Sequence, residues 1–128
     1  MKLDRVYKLY LAGAMRGHKH FNRHVFAEAA MALRAEGHVV FSPTEFMEAI
    51  YGDNVLLSNE TGDEKEAAEG YKFDNRKFVS GCLAFICLDA DAVIVLPNSE
   101  KSQGTNLERS LAEDLHIPVI EYKAETLN

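Results

Sequence analysis

Asp89-Ala90-Asp91-Ala92-Val93-Ile94-Val95-Leu96 is the stretch that decides the fold class of this chain. After its two aspartates it continues as an unbroken apolar run in which β-branched residues dominate. A run without alternating polar positions is typical of a strand that is buried on both faces of a parallel sheet. Parallel strands need long crossover connections, so we expect helices in the flanking segments.

The segments before this stretch predict a strand-helix-strand unit. Val6 to Ala12 is rich in β-forming residues and runs into a glycine turn. From Phe21 to Glu36 apolar residues recur at helical spacing, and His38 to Phe41 gives a second short strand. A further helix is predicted from Asn75 to Leu88, directly before the central strand.

The alternation continues after the central strand, with an amphipathic helix from Gly104 to Leu115 and a last strand from Ile117 to Tyr122. The pattern predicts an α/β fold: a doubly wound parallel sheet of four to five strands, Rossmann-like or flavodoxin-like, with flanking helices. Residues 45–70 are rich in charges and glycines and predict a loop or lid, beyond a short helix at Thr44 to Ile50. The tail from Lys123 to Asn128 is expected to fray or to dock on a partner subunit.

Composition limits the classes of function. A chain of 128 residues with 47% apolar content fits one domain spanning residues 1–128. The net charge of −6 and pI near 5.3 argue against a nucleic acid polymer as partner, so we expect a small molecule. No apolar run approaches the roughly 18–20 residues that span a bilayer, and no Cys/His cluster has zinc-site spacing. We therefore expect a soluble, cytoplasmic protein without membrane contact, metal or cofactor.

Candidate site residues follow the predicted strands, because ligands of open parallel sheets lie beyond the carboxyl ends of the strands. After the first strand, Gly13 to Gly17 forms a turn in which Arg16 is either a ligand contact or a solvated residue. After the third strand, Ser102 precedes a helix whose free N–H groups favour an anion, so we expect it to be either the N-cap of that helix or an anion contact. Glu108 lies in the opening turns of that helix, either as a site carboxylate or as an acid favoured by the helix dipole.

Three ordered motifs resemble the nucleoside 2-deoxyribosyltransferase-like superfamily. They are YLAGAMRGH at Tyr10 to His18, FNRHVFAEAAMALRAEGHVVFSP at Phe21 to Pro43, and DADAVIVLPNSEKSQGTNLERSLA at Asp89 to Ala112. The superfamily includes the 2′-deoxynucleoside 5′-monophosphate N-hydrolases, to which the motifs are most similar, and phage and bacterial relatives of unassigned function. Its members are homo-oligomers, so the resemblance also implies a dimer or higher assembly.

The resemblance implies a role for each candidate residue. Glu108 would attack the anomeric carbon of a nucleoside or nucleotide, and Tyr10 would orient its carboxylate. Ser102 matches the serine that binds the 5′-phosphate in the nucleotide hydrolases. The substrate contacts that it implies lie in the two strand-end turns and in the helix before the third strand: Gly13, Ala14, Met15, Arg16, Gly17, Cys82, Ser102 and Gly104.

Departures from the family pattern bear on activity and substrate. Cys82 stands where the family usually has an aspartate, and a thiol is a poorer proton donor, so activity would be lowered, redirected or absent. Asp74, Asp89 or Asp91 could compensate, although Asp91 is better explained as structural. Ala14 replaces a serine of the nucleotide hydrolases, and Asn98-Ser99 replaces Gly-Trp in the relatives' pattern.

Four hypotheses of function follow. The leading one is an N-glycosidase that releases the base from a (deoxy)nucleoside 5′-monophosphate. The second is base exchange between deoxynucleosides, and the third is a nucleotide-binding protein without catalysis, which Cys82 would explain. The fourth is an α/β domain whose partner is another protein, which predicts no cleft around Glu108.

Overall fold

The protein is described here by a computed structural model, which covers residues 5–124. Its elements, in chain order, are β1 Lys8–Ala12, a 3-10 turn Lys19–Asn22, α1 Arg23–Ala35, β2 Val39–Phe41, α2 Pro43–Tyr51, α3 Asn54–Leu57, α4 Glu64–Tyr71, α5 Asn75–Leu88, β3 Ala92–Val95, α6 Gln103–Asp114 and β4 Val119–Glu121. Of the tail predicted from Lys123 to Asn128, residues 125–128 lie outside the described range.

The four strands form one parallel sheet in the order β2-β1-β3-β4. The centre of the sheet is the pairing of β1 with β3, in which Leu9 lies opposite Ala92 and Ala12 opposite Val95. All four residues of β3 are buried, as its unbroken apolar sequence predicted. The predicted doubly wound α/β fold with flanking helices is confirmed.

The two faces of the sheet bury different helices, because successive side chains of a strand point to opposite faces. Leu9 and Leu11 of β1 pack on the face that carries α1. Tyr10 and Ala12 point to the other face, which is covered by α2, α3, α5 and α6. All helices that bring candidate site residues to the sheet therefore lie on the Tyr10 face.

The segment predicted as a loop or lid is mostly helical. Residues 43–71 contain α2, α3 and α4 with short turns between them. Pro43 sits in the first turn of α2, where its missing N–H needs no partner, and the Asp63 carboxylate accepts the N–H of Lys65 at the start of α4. The short helix expected at Thr44 to Ile50 is present as α2, while the expected lack of regular structure after it is wrong. Movement of the segment over a ligand stays a prediction.

Smaller boundary differences have local causes. The first strand begins at Lys8 rather than Val6, and Val6 is exposed. The last strand begins at Val119 because Pro118 has no N–H to give to the ladder; only its carbonyl pairs, accepting the N–H of Val93 at 2.9 Å. Within residues 5–124 no helix is both long and apolar enough to cross a membrane.

Residues 59–64, which we call the strap, dock on the turn that follows β1. The N–H of Gly17 donates to the carbonyl of Gly62 at 3.1 Å, and the N–H of His20 donates to the carbonyl of Asn59 at 2.8 Å. Gly62 has φ of +71°, and a Cβ added there would lie 2.5 Å from the carbonyl oxygen of His18. Only a residue without a side chain allows this approach of two backbones.

Substitution of Gly62 tests the docking of the strap. Gly62→Ala adds a backbone clash to the cost of a left-handed φ, so we expect it to lower the free energy of unfolding by about 2–3 kcal/mol. Gly17→Ala is the matched control, since Gly17 has φ of +77° with nothing within 4 Å of an added Cβ, and should cost only about 1 kcal/mol. If urea unfolding shows that both variants lose the same free energy of unfolding, the tight contact at Gly62 is contradicted.

Candidate active site

A cavity of about 620 Å³ opens at the carboxyl ends of β1 and β3. Its wall on the side of α2 and α5 is apolar and includes Met47, Phe73, Phe78, Val79 and Leu83, together with Phe21 from the 3-10 turn. Its polar lining residues include Arg16, Glu64, Asn75, Lys101, Ser102 and Glu108. A largely apolar cavity with a few convergent polar groups is the usual form of a small-molecule site, and a cleft around Glu108 argues against the fourth hypothesis.

Glu108 and Tyr10 form a hydrogen-bonded pair at the base of the cavity. The Tyr10 hydroxyl donates to Oε2 of Glu108, although the two residues are 98 positions apart in sequence. The Tyr10 ring is fully buried beneath the cavity, with its centroid 5.4 Å from that of Phe41 and 6.3 Å from that of Phe85. The sheet thus fixes the donor, and the donor fixes one oxygen of the carboxylate.

Burial controls the protonation of this pair. It raises the pKa of Glu108 to about 7, and the hydrogen bond from Tyr10 offsets part of that rise. The pKa of Tyr10 is well above its usual value, chiefly through burial and then through the charge of Glu108. Tyr10 therefore remains a donor, while Glu108 changes charge near neutral pH.

Cys82 of α5 lines the cavity beside this pair and is 2% exposed. Burial raises the pKa of its thiol to about 12, with a smaller lowering by the Tyr10 hydrogen bond and a further rise from the charge of Glu108. The thiol is therefore neutral at physiological pH. A neutral, weakly donating group occupies the position where the resemblance implied a carboxylate.

The aspartates that could have compensated for Cys82 serve the fold instead. Asp91 accepts the backbone N–H of Lys8 at 2.8 Å, which confirms the structural interpretation, and Asp74 caps α5 by accepting the N–H of Arg76 at 3.0 Å. Asp89 pairs with the Lys8 amine at 3.8 Å. Within the described part of the chain, no aspartate lines the cavity.

The start of α6 also lines the cavity, through Ser102, Gln103 and Gly104. The Ser102 hydroxyl accepts the N–H of Thr105 at 3.2 Å, so Ser102 is the N-cap, as predicted. Gln103 and Gly104 occupy the first two helical positions, whose N–H groups have no acceptor within the helix. A Cβ at Gly104 would meet nothing closer than 4.0 Å, so the fold does not require this glycine.

The turn after β1 lines the cavity from Gly13 to Arg16, but not at Gly17. Much of its backbone already serves the fold: the N–H of Ala14 donates to the buried Ser99 hydroxyl at 3.1 Å, and the N–H of Gly17 donates to the strap. A Cβ at Gly13 would lie 2.9 Å from Leu96 Cδ1, so packing alone explains this glycine. The N–H of Gly17 is thus used internally, and ligand contact through the Gly17 backbone stays a prediction.

Two charged lining residues were missed from the sequence. Glu64, in the first turn of α4, forms an ion pair with the Arg16 guanidinium, so Arg16 is neither free nor simply solvated. Lys101 is a second charged residue that lines the cavity. Its place directly before Ser102 could have indicated it, whereas nothing in the sequence near Glu64 links it to Arg16.

Comparison with known proteins places the chain in a family. A family model described as a domain of unknown function, DUF4406, matches residues 7–121. The chain belongs to the DUF4406 family. No match to this DUF4406 chain was found among curated proteins.

A solved structure of a 2-deoxyribosyltransferase from the psychrotolerant bacterium Bacillus psychrosaccharolyticus is similar to the DUF4406 chain. The two share 26% identity over 89% of this chain and 70% of that chain, with a TM-score of 0.57. This likeness supports the resemblance to 2-deoxyribosyltransferases. The closer relation to nucleotide N-hydrolases, and the oligomeric state, stay predictions.

The raised pKa of Glu108 predicts a stability that falls with pH. A carboxyl group whose pKa is raised on folding binds more protons in the folded state, so stability is lost between about pH 4.5 and 7. We therefore expect Glu108→Gln to be more stable than wild type at pH 8, by up to about 3 kcal/mol, and similar at pH 4. Glu113→Gln, an exposed change on the same helix, is the control and should be neutral in urea unfolding at both pH values.

Proposed function

We propose that this protein cleaves the N-glycosidic bond of a (deoxy)nucleoside 5′-monophosphate, releasing the free base by nucleophilic attack of Glu108. The observation that carries the proposal is the Glu108–Tyr10 hydrogen bond beside a cavity that is also lined by Arg16, Lys101 and the N-terminus of α6. The similarity to a 2-deoxyribosyltransferase supports chemistry at a nucleoside glycosyl bond.

The reaction proceeds in two displacements. One carboxylate oxygen of Glu108 attacks the anomeric carbon, the C–N bond breaks, and its electron pair leaves with the base, which takes a proton from solvent. Water then attacks the anomeric carbon of the glycosyl ester, loses a proton and restores the carboxylate. Tyr10 holds one oxygen of Glu108 throughout, which leaves the other oxygen free to form the ester.

The cavity divides into regions suited to the parts of a nucleotide. The apolar wall that includes Phe73, Phe78 and Val79 suits a planar base, because aromatic and aliphatic side chains bury such rings well. The first N–H groups of α6, with Lys101 nearby, suit a phosphate. Glu108 lines the same cavity, and the proposed reaction requires the sugar to lie against its carboxylate.

Base release is the direct test of this proposal. We expect a panel of ribonucleoside and deoxynucleoside 5′-monophosphates to include at least one from which the protein liberates free base, measured by chromatography. Glu108→Ala should lower the rate by about 10³-fold or more, since it removes the nucleophile. Glu113→Gln should leave it unchanged. Absence of release from every nucleotide, or release that survives Glu108→Ala, would contradict the proposal.

The pH dependence tests the form of Glu108 that reacts. Only the carboxylate attacks, so kcat/KM should rise about tenfold per pH unit below pH 7 and level off above it. Tyr10→Phe removes the hydrogen bond that lowers the pKa of Glu108, so the rise should move to higher pH. A flat profile between pH 5 and 8, or a shift to lower pH in Tyr10→Phe, would exclude Glu108 as the titrating nucleophile.

Base exchange is the second candidate, favoured by the similarity to a solved 2-deoxyribosyltransferase. It shares the first displacement and differs in that a second base, not water, attacks the glycosyl ester. Adding an acceptor base to the incubation separates the two, because exchange yields a new nucleoside product.

The third candidate, binding without catalysis, is favoured by the neutral thiol of Cys82. It predicts calorimetric binding of nucleotide by the wild type without base release. If the thiol is the cause, Cys82→Asp should restore turnover, and this gain should be lost in Cys82→Asn, which matches the size of aspartate without its charge.

A further inference from the structure

Glu64 is a lining residue that the proposed reaction does not use. Its carboxylate pairs with the Arg16 guanidinium, and both residues line the cavity together with Lys101 and the start of α6. The turn that carries Arg16 is bonded to the segment before α6, because the N–H of Ala14 donates to the Ser99 hydroxyl at 3.1 Å. Glu64 is thus an acid in the region that the proposed function assigns to phosphate. The proposed reaction gives it no catalytic step.

Hydrogen bonds within the strap, and between the strap and the turn after β1, fix the position of Glu64. The Asn59 side chain, which is 1% exposed, accepts the N–H groups of Gly62 at 2.9 Å and Asp63 at 3.1 Å. The carbonyl of Gly62 in turn accepts the N–H of Gly17, which directly follows Arg16. The two partners of the ion pair are therefore carried on backbone segments that are bonded to each other, so the pair is preorganised.

The ion pair is too exposed to matter much for folding. The side chains of Arg16 and Glu64 are 53% and 32% exposed, and such pairs contribute about 0–1 kcal/mol to stability. Its effect on ligands is larger, because a phosphate dianion either takes Arg16 and leaves the Glu64 carboxylate unpaired nearby, or binds without the help of Arg16. An uncharged 5′-hydroxyl meets neither penalty.

We infer that Glu64 is a specificity-determining residue, which sets the preference between 5′-phosphorylated and unphosphorylated ligands by competing with the phosphate for Arg16. The inference rests on the proposed function for the location of the phosphate. The start of α6 and the cations alone would favour a phosphorylated ligand. An acid from α4 would limit that preference. Arg16 alone would favour the phosphorylated ligand more strongly than the Arg16–Glu64 pair does.

The test measures binding separately from turnover. Calorimetry in a Glu108→Gln background compares the common 2′-deoxynucleoside 5′-monophosphates with the matching nucleosides. Adding Glu64→Gln should strengthen monophosphate binding by about five- to tenfold without strengthening nucleoside binding. Glu66→Gln is the matched control, since it removes an equal charge from the same helix turn but does not line the cavity, and it should change neither affinity by more than about twofold.

A double-mutant cycle with Arg16→Gln shows whether Glu64 acts through Arg16. The effect of Glu64→Gln on monophosphate binding should disappear when Arg16 is already absent. The inference is overturned if Glu64→Gln weakens monophosphate binding, strengthens both ligands equally, acts without Arg16, or is matched by Glu66→Gln. It is also overturned if no monophosphate binds in the presence of Arg16.

Base release distinguishes failure of this inference from failure of the proposed function. With Glu108 intact, Glu64→Gln should raise kcat/KM for monophosphates relative to nucleosides by a similar factor. A shift in binding preference without any base release from wild type would refute the reaction and support the role of Glu64. Base release without a shift in binding preference would support the reaction and refute the role of Glu64.

Discussion

The pairing of β1 with β3 is the constraint on which the rest of the molecule depends. It joins segments more than eighty residues apart, placing Ala12 opposite Val95, and it ends with the N–H of Leu96 donating to the carbonyl of Ala12. Both turns that line the cavity begin at this point. Because α6 follows β3 across the same face that Tyr10 points to, the pairing also brings Glu108 to the Tyr10 hydroxyl. Sheet register and site geometry therefore have one origin.

The site carries charge at a cost to the fold. Burial raises the pKa of Glu108 to about 7, which means that folding disfavours the ionised carboxylate of this residue. The hydrogen bond from Tyr10 reduces this penalty without removing it. A carboxylate that is incompletely satisfied is more reactive toward an electrophilic carbon than one held by several donors. The neutral thiol of Cys82 completes surroundings in which Glu108 is the dominant charge.

The other charged residues that line the cavity are of mixed sign. The strap places Glu64 against Arg16 through backbone contacts that only a glycine at position 62 permits. Lys101 and the first N–H groups of α6 retain their attraction for an anion. The preference for an anionic ligand is therefore set by the balance among these charges and not by one basic residue.

The fold was largely predictable from the sequence, while the site was predictable only in part. The apolar run of β3, the helical periodicities and the Ser102 N-cap are local signals, so the parallel α/β alternation could be derived from neighbouring residues alone. Of the helices within residues 43–71, α3 and α4 were missed because they are short, and their formation depends on packing into the shared core and, for α4, on the Asp63 cap.

The sequence by itself determined the alternation of strands and helices along the chain. Its motifs also identified Glu108, Tyr10 and Cys82 as candidates for one site. Only the tertiary structure decided what each of these residues meets. Tyr10 and Glu108, like Arg16 and Glu64, are far apart in sequence. Their hydrogen bond, ion pair and burial depend on how the helices pack on the sheet. The charge of Glu108 and the partner of Arg16 are consequences of that packing, and no local pattern encodes them.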